Sequence, residues 1–142
     1  MRFWATRITL EWLAKARDVQ ANNPEGYYLI AVHYWDKVYR DPSLTEKDKK
    51  SYIELGLGQL DQALEIDDQY IDALIYKNLL LREQAKVEPK RKAELEKMAN
   101  ELRDKAMDLR AKKQEEEKAA KAAAAEAAKQ QQGGTGQPPS GH

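Results

Sequence analysis

The side chains of this chain best suited to chemistry are His33, His142, Ser43, Ser51, Ser140 and the acidic run "EIDD" at positions 65–68. Hydrolytic or transfer catalysis needs a nucleophile beside a base, or a ligand set around a metal. None of the serines has a plausible base near it in sequence. His142 is the last residue, and His33 has Asp36 three positions on. On the polar side of a helix, that spacing predicts a solvated pair rather than two ligands. Calcium would need a fuller loop of oxygen ligands than "EIDD" supplies. Acidic residues at such a corner instead favour the N-terminus of the helix that follows. With no cysteine, disulfides, thiolate zinc sites and cysteine nucleophiles are excluded. The expectation is a chain that is not an enzyme and takes no cofactor or metal.

The pair Gly56 and Gly58 in "YIELGLGQLDQ" could belong to a phosphate-cradling turn. That motif requires a strand before it, and further glycine, lysine and Ser/Thr after it. Those residues are missing. Glycine inside a helix costs about 1 kcal/mol relative to alanine, so a close helix contact is the better reason for Gly56. Gly58 has no comparable reason and marks a weak point or a bend.

The elements around these residues are helical. Apolar residues recur at helical spacing and no alternating strand pattern is present. Helices are predicted from Arg2 to Ala21, Pro24 to Tyr39, Thr45 (as N-cap) to Ile66, Tyr70 to Lys86, and from Pro89 onward. The last carries Leu95, Met98, Leu102, Ala106 and Leu109 on one side. Five helices joined by mostly short turns predict an all-α fold of antiparallel neighbours. Three segments are expected: a helical domain at 1–111, a spacer at 112–132 and a disordered tail at 133–142.

Two stretches of the chain match each other. "LAKARDVQANNPEGYYLIAVHY" aligns with "LDQALEIDDQYIDALIYKNLLL", placing Leu13 on Leu60, Ala16 on Ala63, Gly26 on Ala73 and Tyr34 on Leu81. In each copy a helix with a small residue near its end turns a short corner into an aromatic or aliphatic helix. The pattern resembles the tetratricopeptide repeat (TPR). Tyr27, Ile30, Ala31 and Tyr34 match its first helix, and Gly56, Leu60 and Ala63 its second. "EIDDQY" with Ala73 and Leu74 matches its corner, and Leu81 continues the packing set. The wording of "YYLIAVHYW" and "DALIYKNLLLR" is most similar to a bacterial, acidobacterial-type subgroup. Extra residues over the family's period of about 34 fall between Tyr34 and Gly56 and predict an elongated helix-to-helix connection. Lys77 and Asn78 stand where the family has an aliphatic and a small residue, so that unit is degenerate.

The resemblance implies right-handed helical hairpins whose first helices line a concave groove. At about 100° per residue, Tyr28, Val32, Trp35 and Tyr39 fall on one stripe of their helix, with Ile75, Leu79 and Arg82 in corresponding places on the next. That gives an apolar, aromatic floor with a charged edge, suited to a protein partner. Some members clamp a terminal carboxylate with lysine, arginine and asparagine on this face. Tyr28, Val32 and Ile75 occupy those positions here, so such a clamp is not expected. The same stripe could instead be covered by a second copy of the chain or by the fifth helix.

The charge balance is even, 24 basic against 24 acidic residues, with no basic footprint for nucleic acid. No run of apolar residues is long enough to span a bilayer, and the N-terminus is a poor signal peptide because Arg7 and Glu11 interrupt its apolar residues. The chain reads as soluble, cytoplasmic unless a removed signal preceded Met1. "KKQEEEKAAKAAAAEAAKQQQ" is rich in strong helix formers without an apolar stripe, which predicts a semi-rigid spacer. Function is therefore expected to be that of a scaffold or adaptor. The alternative is a structural subunit that stacks on neighbouring copies into an oligomer or filament through its open-ended repeats.

Overall fold

A computed structural model of the protein describes residues 2–135. They form α1 (Arg2–Val19), α2 (Pro24–Arg40), α3 (Glu46–Ile66), α4 (Ile71–Val87) and α5 (Lys92–Thr135), and a short 3₁₀ turn, Pro89–Arg91, leads into α5. Among the described residues there is no strand. The fold is all-α.

The helix boundaries follow from local chemistry. Pro24 occupies the first turn of α2, and the Asn23 side chain accepts a hydrogen bond from the Glu25 amide at 3.0 Å. Thr45 Oγ1 caps α3 by accepting from the Asp48 amide at 3.1 Å. At the acidic corner, Asp67 closes α3 and its carboxylate accepts from the Gln69 amide at 3.0 Å. The Asp67 carboxylate therefore helps make the turn. α1 ends at Val19, short of Ala21, because residues 20–22 tighten into a turn that hydrogen-bonds back to Ala16 and Arg17.

The elongated connection expected between Tyr34 and Gly56 is absent: α2 continues to Arg40 and α3 begins at Glu46, so only positions 41–45 lie between them. Asp41 organises that short link by accepting from both the amide and the hydroxyl of Ser43. Those bonds, the hydroxyl's foremost, hold its carboxyl below the usual range.

α2 packs against α1, α3 and α4, and α3 packs against α4. One buried cluster joins Ala31 and Val38 of α2, Ile53, Leu60 and Ala63 of α3, and Ala73 and Leu80 of α4. A second joins Leu81 and Ala85 of α4 to Leu95 and Ala99 of α5. Each fully buried leucine or isoleucine in these clusters contributes roughly 1.5–3 kcal/mol. α4 serves both clusters, which explains why its sequence is apolar nearly all round.

Two compact units divide the chain, one through Met107 and one from Asp108. In the second, the described side chains are exposed through Gln132 except half-buried Leu109. The expected break at Gly133 is absent: α5 runs on to Thr135, and positions 136–142 of the expected tail lie outside the described residues.

Candidate functional site

α2 and α4 meet through aromatic rings. Tyr28 sits edge-on to Tyr76 (centroids 5.4 Å, 69°) and to Tyr70 (5.8 Å, 80°), and Trp35 sits edge-on to Tyr76 (5.5 Å, 86°). Such edge-to-face pairs are worth about 0.5–1.5 kcal/mol beyond burial. Tyr28 and Trp35, expected as free groove anchors, are thus the floor between the two helices. Tyr39 stacks on the open side of Trp35 (4.9 Å, 14°) and is 62% exposed, with half-buried Val32 beside it on the same stripe.

On α4, helical projection separates three directions. Ala73 and Leu80 turn to the first buried cluster, Leu81 and Ala85 to the second. Ile75, Leu79, Arg82 and Lys86 form a remaining stripe, none of them fully buried. The predicted groove residues of α2 and α4 therefore border one face. Its floor is aromatic, its margins are aliphatic, and its charges gather at the C-terminal end of α4.

Arg82 is no loose edge charge. Its Nε donates to Asn78 Oδ1 at 2.8 Å and its Nη2 to Asn100 Oδ1 at 2.8 Å. Asn78, 8% exposed, is the buried polar residue of α4, and Lys77 reaches across to Asp61 of α3 at 2.8 Å. Lys77 and Asn78, the departures from the repeat pattern in the sequence, both make polar contacts. Tyr70, Tyr76, Asn100, Lys86 and Lys92 were not picked out as site residues from the sequence, and Asn78 was read only as a departure from the repeat. The departure at Lys77 and Asn78 was the available signal.

Two tyrosines of the floor, Tyr28 and Tyr70, hold their protons more tightly than usual. The Tyr28 phenol is pushed up to about 12, chiefly by desolvation and then by the charge of Asp72. Tyr70 is raised by burial, followed by Asp72 and Glu25. The expected solvated pair of His33 and Asp36 does not form. Asp36 binds Arg40 at 2.7 Å, while His33 Nε2 is buried without a hydrogen-bond partner. Desolvation lowers the His33 pKa against the opposing pull of Asp36.

The residues named for helix packing lie in or against the buried core. Ile30, Ala31, Leu60, Ala63, Ala73, Leu74 and Leu81 are buried, and Tyr27 packs against the first cluster. Tyr34 stacks obliquely on Tyr52 at 5.8 Å. Gly56 lies under Leu80, where a Cβ would stand 2.8 Å from Leu80 Cδ1 and 3.4 Å from Tyr34 Cβ. A second close approach, not read from sequence, puts Gly26 of α2 against Arg17 of α1, where a Cβ would come within 3.0 Å of the Arg17 Cα. Arg17 also lies over the Tyr27 ring (5.6 Å) and donates to Gln59 Oε1 at 3.0 Å, tying α1 to α2 and α3.

No protein-family model matches the chain, and no curated protein or solved structure matches it. Among the described residues, no group of three or more His, Asp or Glu side chains is placed to hold a metal ion. No described helix is long and apolar enough to cross a membrane.

Proposed function

We propose that the chain is a non-enzymatic scaffold of TPR type that holds another protein along the face bordered by α2 and α4. The observation that carries this reading is the packing of alternate helices through Tyr28, Trp35 and Tyr76, with Tyr39, Val32, Ile75 and Leu79 left along the open side. In the resemblance, first helices of successive repeats line the partner groove, and α2 and α4 are those helices. Rigid aromatic groups already held in place lose little freedom when a partner arrives, which favours binding. The Ala/Lys/Glu-rich part of α5 would act as a spacer.

A second reading has its own observation. On α1, Trp12 (73% exposed), Ala16 and Val19 (84% exposed) form an apolar stripe. An open repeat end of that kind suits stacking on another copy.

Solution mass, measured across a wide concentration range for the wild type and Trp12→Glu, separates the two. A constant mass of 16.3 kDa supports the scaffold. Concentration-dependent growth abolished by Trp12→Glu would make the chain a building block instead.

A further inference from the structure

A cleft of about 410 Å³ opens between the C-terminal turn of α4 and the start of α5, lined by Arg82, Ala85, Lys86, Pro89, Lys92 and Glu96. Its charges are unequal. Lys86 is already paired with Glu83 at 3.0 Å. Arg82 is held by two neutral asparagine oxygens, and neither it nor Lys92 makes an ion pair among the described residues. Counting Arg82 and Lys92 against Glu96 leaves one positive charge in the cleft wall.

The anchoring of Arg82 gives this charge its meaning. A guanidinium on a surface helix normally finds a carboxylate or moves freely in water. Here Nε and Nη2 are fixed by Asn78 and Asn100, one of them buried, and Nη1 carries no bond. Neutral amides orient the group without neutralising it, so its attraction for an anion is preserved and the entropy of placing it is already spent. Arg82 and Lys86 also continue the stripe of Ile75 and Leu79, and Lys86 lies about 10 Å along the helix from Leu79.

We propose that this cleft is a binding site for a single carboxylate, presented by an acidic side chain of a partner segment that runs over Ile75 and Leu79. The inference rests on the partner-binding reading of that face and names the chemistry of the partner. An extended segment would carry its acidic residue about three positions beyond its apolar contacts. One positive charge matches a carboxylate better than a phosphate dianion. The site also differs in place from a terminal-carboxylate clamp on the α2/α4 floor, where Tyr28, Val32 and Ile75 leave no cation.

The test follows the Arg82 Nε–H resonance in the isolated chain while sodium acetate, inorganic phosphate or sodium chloride is added at matched ionic strength. Acetate is expected to shift it saturably and chloride is not. Lys92→Ala should weaken acetate about fivefold, the upper range for loss of one partly exposed ion pair. Glu96→Gln should instead strengthen phosphate. Equal shifts with acetate and chloride, tighter phosphate than acetate in the wild type, or an unchanged titration in Lys92→Ala would each overturn the site. No partner is needed, so a failed titration removes the cleft and leaves the α2/α4 face standing.

Discussion

Gly56 of α3 lies directly beneath the side chain of Leu80 of α4, close enough that a Cβ would stand 2.8 Å from Leu80 Cδ1. Leu80 is fully buried, so its terminal methyl can move aside only by disturbing the first buried cluster, while Tyr34 stays in ordinary contact at 3.4 Å. Gly58, two residues on, has nothing within 4 Å of the corresponding position. The two glycines therefore answer oppositely to alanine. Gly58→Ala should stabilise the fold by about 0.4–1 kcal/mol. Gly56→Ala gains the same helix propensity but overpacks the contact, which typically costs about 1–3 kcal/mol, for a net loss near 1 kcal/mol. Urea unfolding of both variants checks this. A stabilised Gly56→Ala would mean that the Leu80 side chain moves aside at little cost.

Asn78 and Asn100 hold the same guanidinium, so their contributions should couple. Hydrogen bonds to a charged group contribute about 1.5–3 kcal/mol where no replacement exists. Water can reach half-buried Arg82, which puts Asn78→Ala at a loss of about 1–2 kcal/mol. The double variant with Asn100→Ala should lose less than the sum of the two single losses, a non-additivity that a double-mutant cycle reads directly. Additive losses would show that the asparagines do not act through Arg82.

Alkaline stability should depend on Tyr28. Its folded pKa is about 12 against an ordinary 10.0, so the folded state keeps a proton that the unfolded chain releases. The stabilisation is whole below pH 10 and is lost as pH rises from 10 toward 12. The residue is only half-buried, so solvent screening makes the effect modest. The thermal midpoint of the wild type should fall across that window more steeply than that of Tyr28→Phe. Parallel curves would contradict the desolvated floor.

Helix positions were legible because the punctuation is local. Pro24, Thr45 and Pro89 act within one turn of where they stand in sequence. The close contact at Gly56 was legible because glycine in a strong helical pattern needs a reason beyond propensity. What escaped depends on neighbours distant in sequence. Asn78 looked like a lost small residue, and its role appears only when Arg82 and Asn100 stand beside it. The extra length between Tyr34 and Gly56 looked like an elongated connection when set against the repeat period, although Tyr39 and Thr45 already bracketed it as a short break between two longer helices. His33 looked solvated because Asp36 was counted as its partner, whereas Arg40, one turn along the same helix, takes that carboxylate.

The most direct test of the central claim is a selection of peptides from a random display library on the wild-type chain, with each enriched peptide then measured against a Val32→Glu/Leu79→Glu variant. Both positions are half-buried at the rim of the aromatic floor, so the charges alter the face without entering either buried cluster. The account predicts enriched apolar sequences whose binding falls at least about tenfold on the variant, the loss expected when a hot-spot contact of about 1.4 kcal/mol or more is removed. Enriched peptides that bind the variant equally well, or no enrichment at all, would contradict a partner-binding face on α2 and α4.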